Sequence, residues 1–338
     1  MSGARHWAAT RWLRSPLLAL CLAAPCTLAG AAGGPPHFQV TAPGAALTFV
    51  VYGDTRFTQR EQVANAAARR ALVERIAGEN PAAIFVGGDL VYEGDDPDDY
   101  ATYRSESAEW AKRKIPVFPA LGNHEFRECR PRHDDSPCLE NWWGTFGSLR
   151  PYRWYSVAVG DSLLALVLDS DSSLKPGSEQ RMWLERQIGG AGTDPHLRFI
   201  LLVLHYPPVR DPIFPRGRDE GEIERYLAAT APGLRARVIV VGSHVHNYER
   251  FERDGVAYLV SGGGGAKPIP VLRMGGELSQ LKTPVNFHYL RFTLQGERLG
   301  CTMVRYDASD KSGDPWSEPD RFEVDAGEAP GARASRLR

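Results

Sequence analysis

Seven side chains able to ligate metal ions stand at the ends of strongly apolar runs. They are Asp54 after Gly53, Asp89 and Tyr92 in Gly88-Asp89-Leu90-Val91-Tyr92, Asn123 in Gly122-Asn123-His124-Glu125, then His205, and His244 and His246 around Val245. The set holds only oxygen and imidazole donors, which suit hard or borderline cations. One such residue at a strand end would mean little. Their recurrence, with no ligand type out of place, points to a dinuclear metal site built for hydrolysis. That chemistry needs a carboxylate shared by both ions, further ligands for each shell, and a water between the ions whose pKa is lowered toward neutrality. The ions typically sit ~3.5–4 Å apart, so the ligands must converge from several strands. Gly53 and Gly88 let backbone approach closely just before Asp54 and Asp89. Alternate residues of an extended segment face opposite sides, so His244 and His246 need a local kink, which Gly242-Ser243 makes plausible.

The elements that must position these groups follow a repeating pattern. Residues 47–52 read as a strand, 61–78 as a helix, 82–86 as a strand, 98–114 as a helix and 115–121 as a strand. Such alternation predicts an α/β fold with a parallel or mixed sheet, whose sites form at the carboxyl ends of strands. Asn141-Trp142-Trp143-Gly144 reads as an aromatic loop, 151–159 and 162–168 as consecutive strands, and 178–188 as a helix capped by Ser178. The pattern resumes with 199–204 leading to His205, a helix over 218–229, and 238–241 leading to His244. Segments 256–260, 288–294 and 299–306 are expected to pair as antiparallel neighbours in a second sheet.

The chain has 338 residues, ample for one large core. Arg5, Arg11 and Arg14, the apolar stretch from Leu17 to Leu22, and Ala29-Gly30-Ala31 read as a signal peptide over 1–32. The alternative, an uncleaved membrane anchor, fits less well because Pro25 breaks a short apolar core. The expected organisation is then a linker over 33–46, a catalytic domain over 47–308, and a polar tail over 309–338, disordered from 327 onward. No later apolar run approaches bilayer-spanning length. Loss of the leader takes the net charge from −1 to −4, since it carries three Arg and no acid. A mildly acidic protein has no general attraction for phosphate backbones, which argues against a nucleic-acid binder. A secreted or periplasmic location is expected. There Cys129 and Cys138, which bracket a polar loop, can close a disulfide stabilising by ~2–3 kcal/mol; two free thiols are the alternative. Cys301 reads as a buried free thiol.

The order Gly-Asp, Gly-Asp-x-x-Tyr, Gly-Asn-His-Glu, His, His-x-His resembles the calcineurin-like metallophosphoesterases. Tyr92 three residues after Asp89, and Tyr248-Glu249-Arg250 after His246, resemble the purple acid phosphatase branch. The resemblance implies a four-layer α/β sandwich of two mixed β-sheets flanked by helices. It implies two metal ions: Fe(3+) held by Asp54, Asp89, Tyr92 and His246, and Fe(2+), Zn(2+) or Mn(2+) held by Asp89, Asn123, His205 and His244, with Asp89 bridging. His124 would orient the phosphate or protonate the leaving alkoxide. The implied reaction is hydrolysis of a small phosphomonoester by a hydroxide activated at the metals. Alternatives are a phosphodiesterase acting on cyclic nucleotides or lipid head groups at the same site, and a non-catalytic metal- or phosphate-binding protein.

Departures from the family pattern mark what is particular to this chain. Generic relatives place a ligating His two residues after the first Asp; here Arg56 stands there and cannot coordinate. Tyr92 would replace that ligand, unless it is a structural Tyr packing near the site. Arg56 is positioned either to grip substrate phosphate as a fork or to pair with a carboxylate of the nearby helix. Ser243 stands where the family usually has Gly, which raises a question about backbone geometry. Tyr206, Arg210, Arg216 and Arg218 follow His205 in place of the paired histidines of plant members. Ser261-Gly262-Gly263-Gly264-Gly265 reads as a flexible turn or a backbone wall of the pocket. His133 reads as solvated, His288 as structural, and Glu125 as a brace for its own loop. Trp142, Trp143 and Trp154 read as core, with a pocket wall as the alternative.

Overall fold

Short runs of Val, Ile, Leu and Phe form the strands, and Ala-, Glu- and Arg-rich segments form the helices between them. The computed structural model describes residues 34–42, 44, 46–127, 136–211, 219–271, 287–311 and 313–326. The leader over 1–32, Cys129, His133, Arg216, Arg218 and the end of the tail over 327–338 lie outside the described residues. In chain order the elements are β1 (His37–Val40), β2 (Leu47–Tyr52), α1 (Ala66–Glu79), β3 (Ala83–Val86), α2 (Pro97–Glu106), α3 (Ala108–Lys112), β4 (Val117–Pro119), α4 (Glu140–Thr145), β5 (Tyr155–Val159) and β6 (Leu163–Val167). There follow α5 (Glu179–Thr193), β7 (Phe199–Val203), α6 (Glu220–Thr230), β8 (Arg237–Gly242), β9 (Tyr248–Arg253), β10 (Val256–Ser261), β11 (Phe287–Gln295), β12 (Arg298–Tyr306) and β13 (Trp316–Asp325). Ser178 caps α5 by accepting the Arg181 N–H, and Asn65 caps α1 through the Ala68 N–H.

The strands form two mixed sheets, of order β1-β5-β6-β7-β8-β10-β9 and β13-β12-β11-β2-β3-β4. In the first, β6, β7, β8 and β10 run parallel. In the second, β2, β3 and β4 run parallel while β11 lies antiparallel against β2. Alternation along β6 explains the layering. Leu163, Ala165 and Val167 join the core between the sheets, whereas Leu164 and Leu166 pack with Trp183, Leu184 and Ile188 of α5 and Ile223 and Leu227 of α6. Both faces of the central strands are therefore covered, and their sequences read as unbroken apolar runs. Helices α1–α3 cover the outer face of the second sheet through Leu72, Val73, Ile76 and Trp110. The result is the expected four-layer sandwich, helix–sheet–sheet–helix.

Several local expectations change. β10 belongs to the first sheet, parallel to β8 and antiparallel to β9, and does not pair with β11 or β12. In chain order β9 comes between β8 and β10, and its paired charged residues, Glu249-Arg250 and Glu252-Arg253, give no apolar signal. The segment expected as a linker carries β1, an edge strand with Phe38 and Val40 buried. The polar tail carries β13, an edge strand with mostly exposed residues, which accounts for its polar composition. The aromatic segment at 141–144 lies within α4, where Trp142 and Trp143 are core residues. Trp154 packs against the outer core of the first sheet. Among the described residues, no helix is long and apolar enough to cross a membrane.

Candidate metal centre

The parallel strands of both sheets end at one edge, and the ligand candidates sit there. Asp54 follows β2, Asp89 follows β3, Asn123 follows β4, His205 follows β7, and His244 and His246 follow β8. The carboxylate side is held under backbone strain. Asp54 and Asp89 adopt φ of 56° and 50°, the left-handed region that a side chain enters only when its surroundings force it. Glu125, fully buried, does much of the forcing. Its carboxylate accepts the N–H groups of Gly122 (2.6 Å), Leu90 (2.8 Å) and Asp89 (3.1 Å), tying the second and third motifs together. Glycine is needed at 122, because a Cβ there would collide with the Asp89 carboxylate. Arg69 of α1 holds the first motif: it donates to the carbonyls of Arg56 (2.9 Å) and Thr58 (3.0 Å) while paired with Glu106 at 2.7 Å.

The imidazole side is fixed through tautomers. His205 Nδ1 lies 3.0 Å from the Gly87 carbonyl, and His246 Nδ1 lies 2.8 Å from the Lys267 carbonyl. A carbonyl only accepts, so both Nδ1 atoms carry the proton and both Nε2 atoms present a lone pair. His205 Nε2 lies 3.0 Å from Asn123 Oδ1, 3.3 Å from Asp89 Oδ1 and 3.1 Å from His244 Nδ1. His246 Nε2 lies 3.6 Å from Asp54 Oδ1. His244 provides the kink, with φ of 64°. Ser243 fits ahead of it because Gly53 and Gly87 leave room: a Cβ on either would strike the Ser243 hydroxyl, which donates to the Ser261 carbonyl at 3.1 Å.

These contacts test whether the donor set suits cations. Ligand atoms of Asp54, Asp89 and His205 all lie within 4.8 Å of one another. Around His205 Nε2 sit two oxygen acceptors with no proton to share, an arrangement that a positive ion satisfies. Both Asp54 carboxylate oxygens are buried and accept no hydrogen bond. Burial, and then the Asp89 charge, push the Asp54 carboxyl well above its ordinary range, so it calls for a proton or a cation. Burial acts the same way on Asp89, but the Arg56 charge and the His124 backbone N–H that it accepts oppose it, and that carboxyl stays low. Burial lowers His244 to about 3 and His246 to about 4, with His205 and Arg56 respectively adding to the shift. Neutral imidazole is the metal-binding form. The residues fit a metal centre.

The remaining candidates group around Asp89. His124 is fixed by its Nδ1, 2.6 Å from the Tyr92 carbonyl, and turns Nε2 to within 3.6 Å of Asp89 Oδ2. Burial lowers its pKa. Arg56 pairs with Asp89 Oδ2 at 3.3 Å rather than with a helix carboxylate. The Tyr92 ring lies 5.0 Å from the His124 ring. His288 is buried against Ser261 (Nε2 to Oγ 3.1 Å). The glycine run is ordered wall rather than loose turn: Gly262 N–H donates to Asn247 and Gly264 N–H donates to Gly53. Cys301 is buried and free. Burial first, then the Asp320 charge, push its thiol well up.

Two supports, Ser170 and Asp320, escaped the sequence reading, while Tyr206, named there as following His205, walls the centre. Ser170 Oγ accepts the N–H groups of His205 (3.2 Å) and Tyr206 (3.0 Å), anchoring that ligand loop. The signal was present, since Asp169-Ser170 ends the apolar run of β6 just as the other motifs end theirs. The Tyr206 ring lies 5.1 Å from His205 and 4.5 Å from His244, walling that side of the centre. Asp320 on β13 accepts from Tyr248 Oη at 2.7 Å and Arg250 Nε at 2.8 Å, pinning the strand that follows His246.

Two apposed mixed sheets with carboxylate, amide and imidazole donors meeting at a shared strand-end edge define a metal-dependent hydrolase of the α/β sandwich class. The chain belongs to the calcineurin-like phosphoesterase family, whose family model matches residues 47–248. That family binds two metal ions, and Asp54, Asp89 and His205 form a candidate metal site here. The fold is similar to a purple acid phosphatase, PPD1 from yellow lupin (Lupinus luteus) seeds, with a TM-score of 0.65 and 17% identity over 86% of this chain. The chain spans 56% of the lupin enzyme. It is also similar to GAP50, the anchor in the inner membrane complex of Plasmodium (TM-score 0.57, 16% identity, 87% of this chain and 96% of that one). A dimetal phosphatase from Danio rerio matches with a TM-score of 0.54 and 15% identity, over 83% of this chain and 99% of that one. At these identities the likeness is one of fold. No curated protein matches the chain.

Proposed function

We propose that the protein is a dinuclear metal-dependent phosphatase that hydrolyses small phosphomonoesters. The observation that carries this reading is the convergence of Asp54, Asp89, Asn123, His205, His244 and His246, whose inward-facing atoms are acceptors short of protons. One ion would be held by Asp54, Asp89, Tyr92 and His246, and the other by Asp89, Asn123, His205 and His244. Fe(3+) suits the position with the phenol, and Fe(2+), Zn(2+) or Mn(2+) suits the other. Bound there, the cations would supply electrophilic charge to the phosphoryl oxygens and acidify a water. Arg56 extends a guanidinium fork beside Asp89 with which to grip a phosphoryl oxygen. His124, its Nδ1 committed to the Tyr92 carbonyl, turns Nε2 inward to give a proton to the leaving oxygen. Glu125 holds the Asp89 loop in register and stays out of the reaction.

The leader motif and the Cys129–Cys138 pair support an exported enzyme with a disulfide at the rim of the site. Metal content and turnover test the central reading together. Purified protein should carry two metal ions per chain and hydrolyse p-nitrophenyl phosphate faster than bis-p-nitrophenyl phosphate. Turnover of the diester alone would replace the monoester assignment, and a metal-loaded protein inert toward both would make it a binding protein. If Fe(3+) is bound by Tyr92, the protein is coloured and Tyr92→Phe bleaches it.

A further inference from the structure

Asp169, two residues past the end of β6, is a fully buried carboxylate that takes no part in the chemistry above. Gln180 of α5 clamps its backbone, accepting the Asp169 N–H and donating to the Asp169 carbonyl, both at 2.8 Å. The carboxylate accepts the Asp171 N–H (2.9 Å) and the Ser172 hydroxyl (2.8 Å), and its Oδ2 lies 2.6 Å from Arg153 Nε. The next residue, Ser170, holds the His205 loop. Arg153 also reaches toward the other sheet, where its Cζ stands 4.8 Å from the Phe126 ring centroid. Phe126 is buried, and its N–H donates to the Asn123 carbonyl at 3.3 Å. Tyr155, two residues after Arg153, ties the same segment to the end of β4, its Oη donating to the Pro119 carbonyl at 2.9 Å. A run of contacts thus leads from Asn123 through Phe126, Arg153 and Asp169 to Ser170 and His205. It closes where Asn123 Oδ1 and His205 Nε2 face each other at 3.0 Å.

We infer that Arg153 and Asp169 are positioning residues for the ion assigned to Asp89, Asn123, His205 and His244, setting the separation of Asn123 and His205 without ligating it. The inference rests on the two-ion reading above. Asn123 leaves β4 of one sheet and His205 leaves β7 of the other. Ligands from different sheets keep their spacing when groups outside the ligand shell couple the two loops. A buried carboxylate paired with a guanidinium that stacks on an aromatic face provides such a coupling. Each partner is held on a second side, Asp169 by Gln180 and Ser172, and Arg153 by Phe126. Separating them would leave a buried charge uncompensated, so the pair resists stretching. Asp54, Tyr92 and His246, which complete the shell of the other ion, lie off this path.

Zinc titrations in single-site backgrounds separate this inference from the reading beneath it. His246→Ala leaves the Asn123–His205 site, and His205→Ala leaves the other. Each chelator-stripped protein is titrated calorimetrically with Zn(2+), with and without Arg153→Gln. In the His246→Ala background Arg153→Gln should weaken binding about tenfold, and in the His205→Ala background it should leave the affinity unmoved. Asp169→Asn should reproduce the selective loss, and combining it with Arg153→Gln should add little, as for two halves of one interaction. Arg153→Lys, which keeps the charge without the planar fork, should recover part of the affinity. Arg153 borders solvent, so Arg153→Gln carries the test even if Asp169→Asn does not fold. Equal weakening in both backgrounds would mark a general loosening of the fold, and no weakening in either would mark an idle ion pair; both results overturn the inference. A single Zn(2+) per chain in the unsubstituted protein would instead fault the two-ion reading.

Discussion

The two sheets contribute to the centre in different ways. The β2–β3–β4 side brings oxygen donors, Asp54, Asp89 and Asn123, and holds them by left-handed backbone and the buried Glu125 carboxylate. The β7–β8 side brings imidazoles, and holds two of them by carbonyls that decide which nitrogen carries the proton. One side supplies charge and the other supplies neutral lone pairs. The difference matters because two adjacent cations need anionic compensation, but a site with only carboxylates would repel itself before any ion arrived. Splitting the roles between sheets places the negative groups on one wall and their neutral partners opposite.

The largest perturbation is the removal of the residue that both ions would share. Asp89→Ala should abolish binding of both metals and lower turnover to background, whereas His246→Ala should remove one ion and leave the other measurable by elemental analysis. Retention of one full equivalent in Asp89→Ala would show that the carboxylate side is not shared. Smaller in effect, pH should separate the two walls. Histidines of the unfolded chain protonate near 6.5, while burial lowers His246 to about 4 and His244 to about 3 in the fold. Their neutral form therefore stabilises the fold fully above pH 6.5, and this contribution falls as pH drops from 6.5 toward 4 and 3. Glu125, pushed up to about 8 by burial, and Asp54, also pushed up, act in the opposite sense. The histidine contribution is therefore read as the difference in denaturant midpoint between chelator-treated wild type and the His244→Gln/His246→Gln double variant. A difference that does not change with pH through that window would contradict the shifts. The smallest change concerns the support of the imidazole wall. Ser170→Ala leaves the buried His205 and Tyr206 N–H groups without their acceptor and should cost about 1–3 kcal/mol. A midpoint indistinguishable from wild type would show that the hydroxyl does not anchor the loop.

The ligand candidates were legible because each ends an apolar run, and strand-end chemistry needs no knowledge of which strand neighbours which. Sheet membership was less legible. β10 has the same apolar character as β11 and β12, and only contacts distant in sequence decide that it pairs with β8. β13 was hidden by the charged residues that an edge strand displays to solvent, and β9 by charged residues of which Glu249 is buried and Arg250 is held by Asp320. The pairing of Arg56 with Asp89, and the gathering of Arg60 and Arg127 on Tyr92, depend on how three separate loops meet, which spacing does not encode. Ser243 is instructive in the other direction. Its departure from the family's glycine suggests a strain on the backbone, yet two glycines on the opposite sheet leave room for its hydroxyl, which donates to the Ser261 carbonyl.

Asp54 carries the widest consequence. A carboxylate sealed from water, its charge opposed first by burial and then by Asp89, leaves the folded chain with a buried group that a cation would compensate. If ions bind there as proposed, the stability of the protein would depend on their free concentration as well as on its own sequence. Scarcity of those ions would then govern how much folded protein survives, before it governs how fast any ester is cleaved.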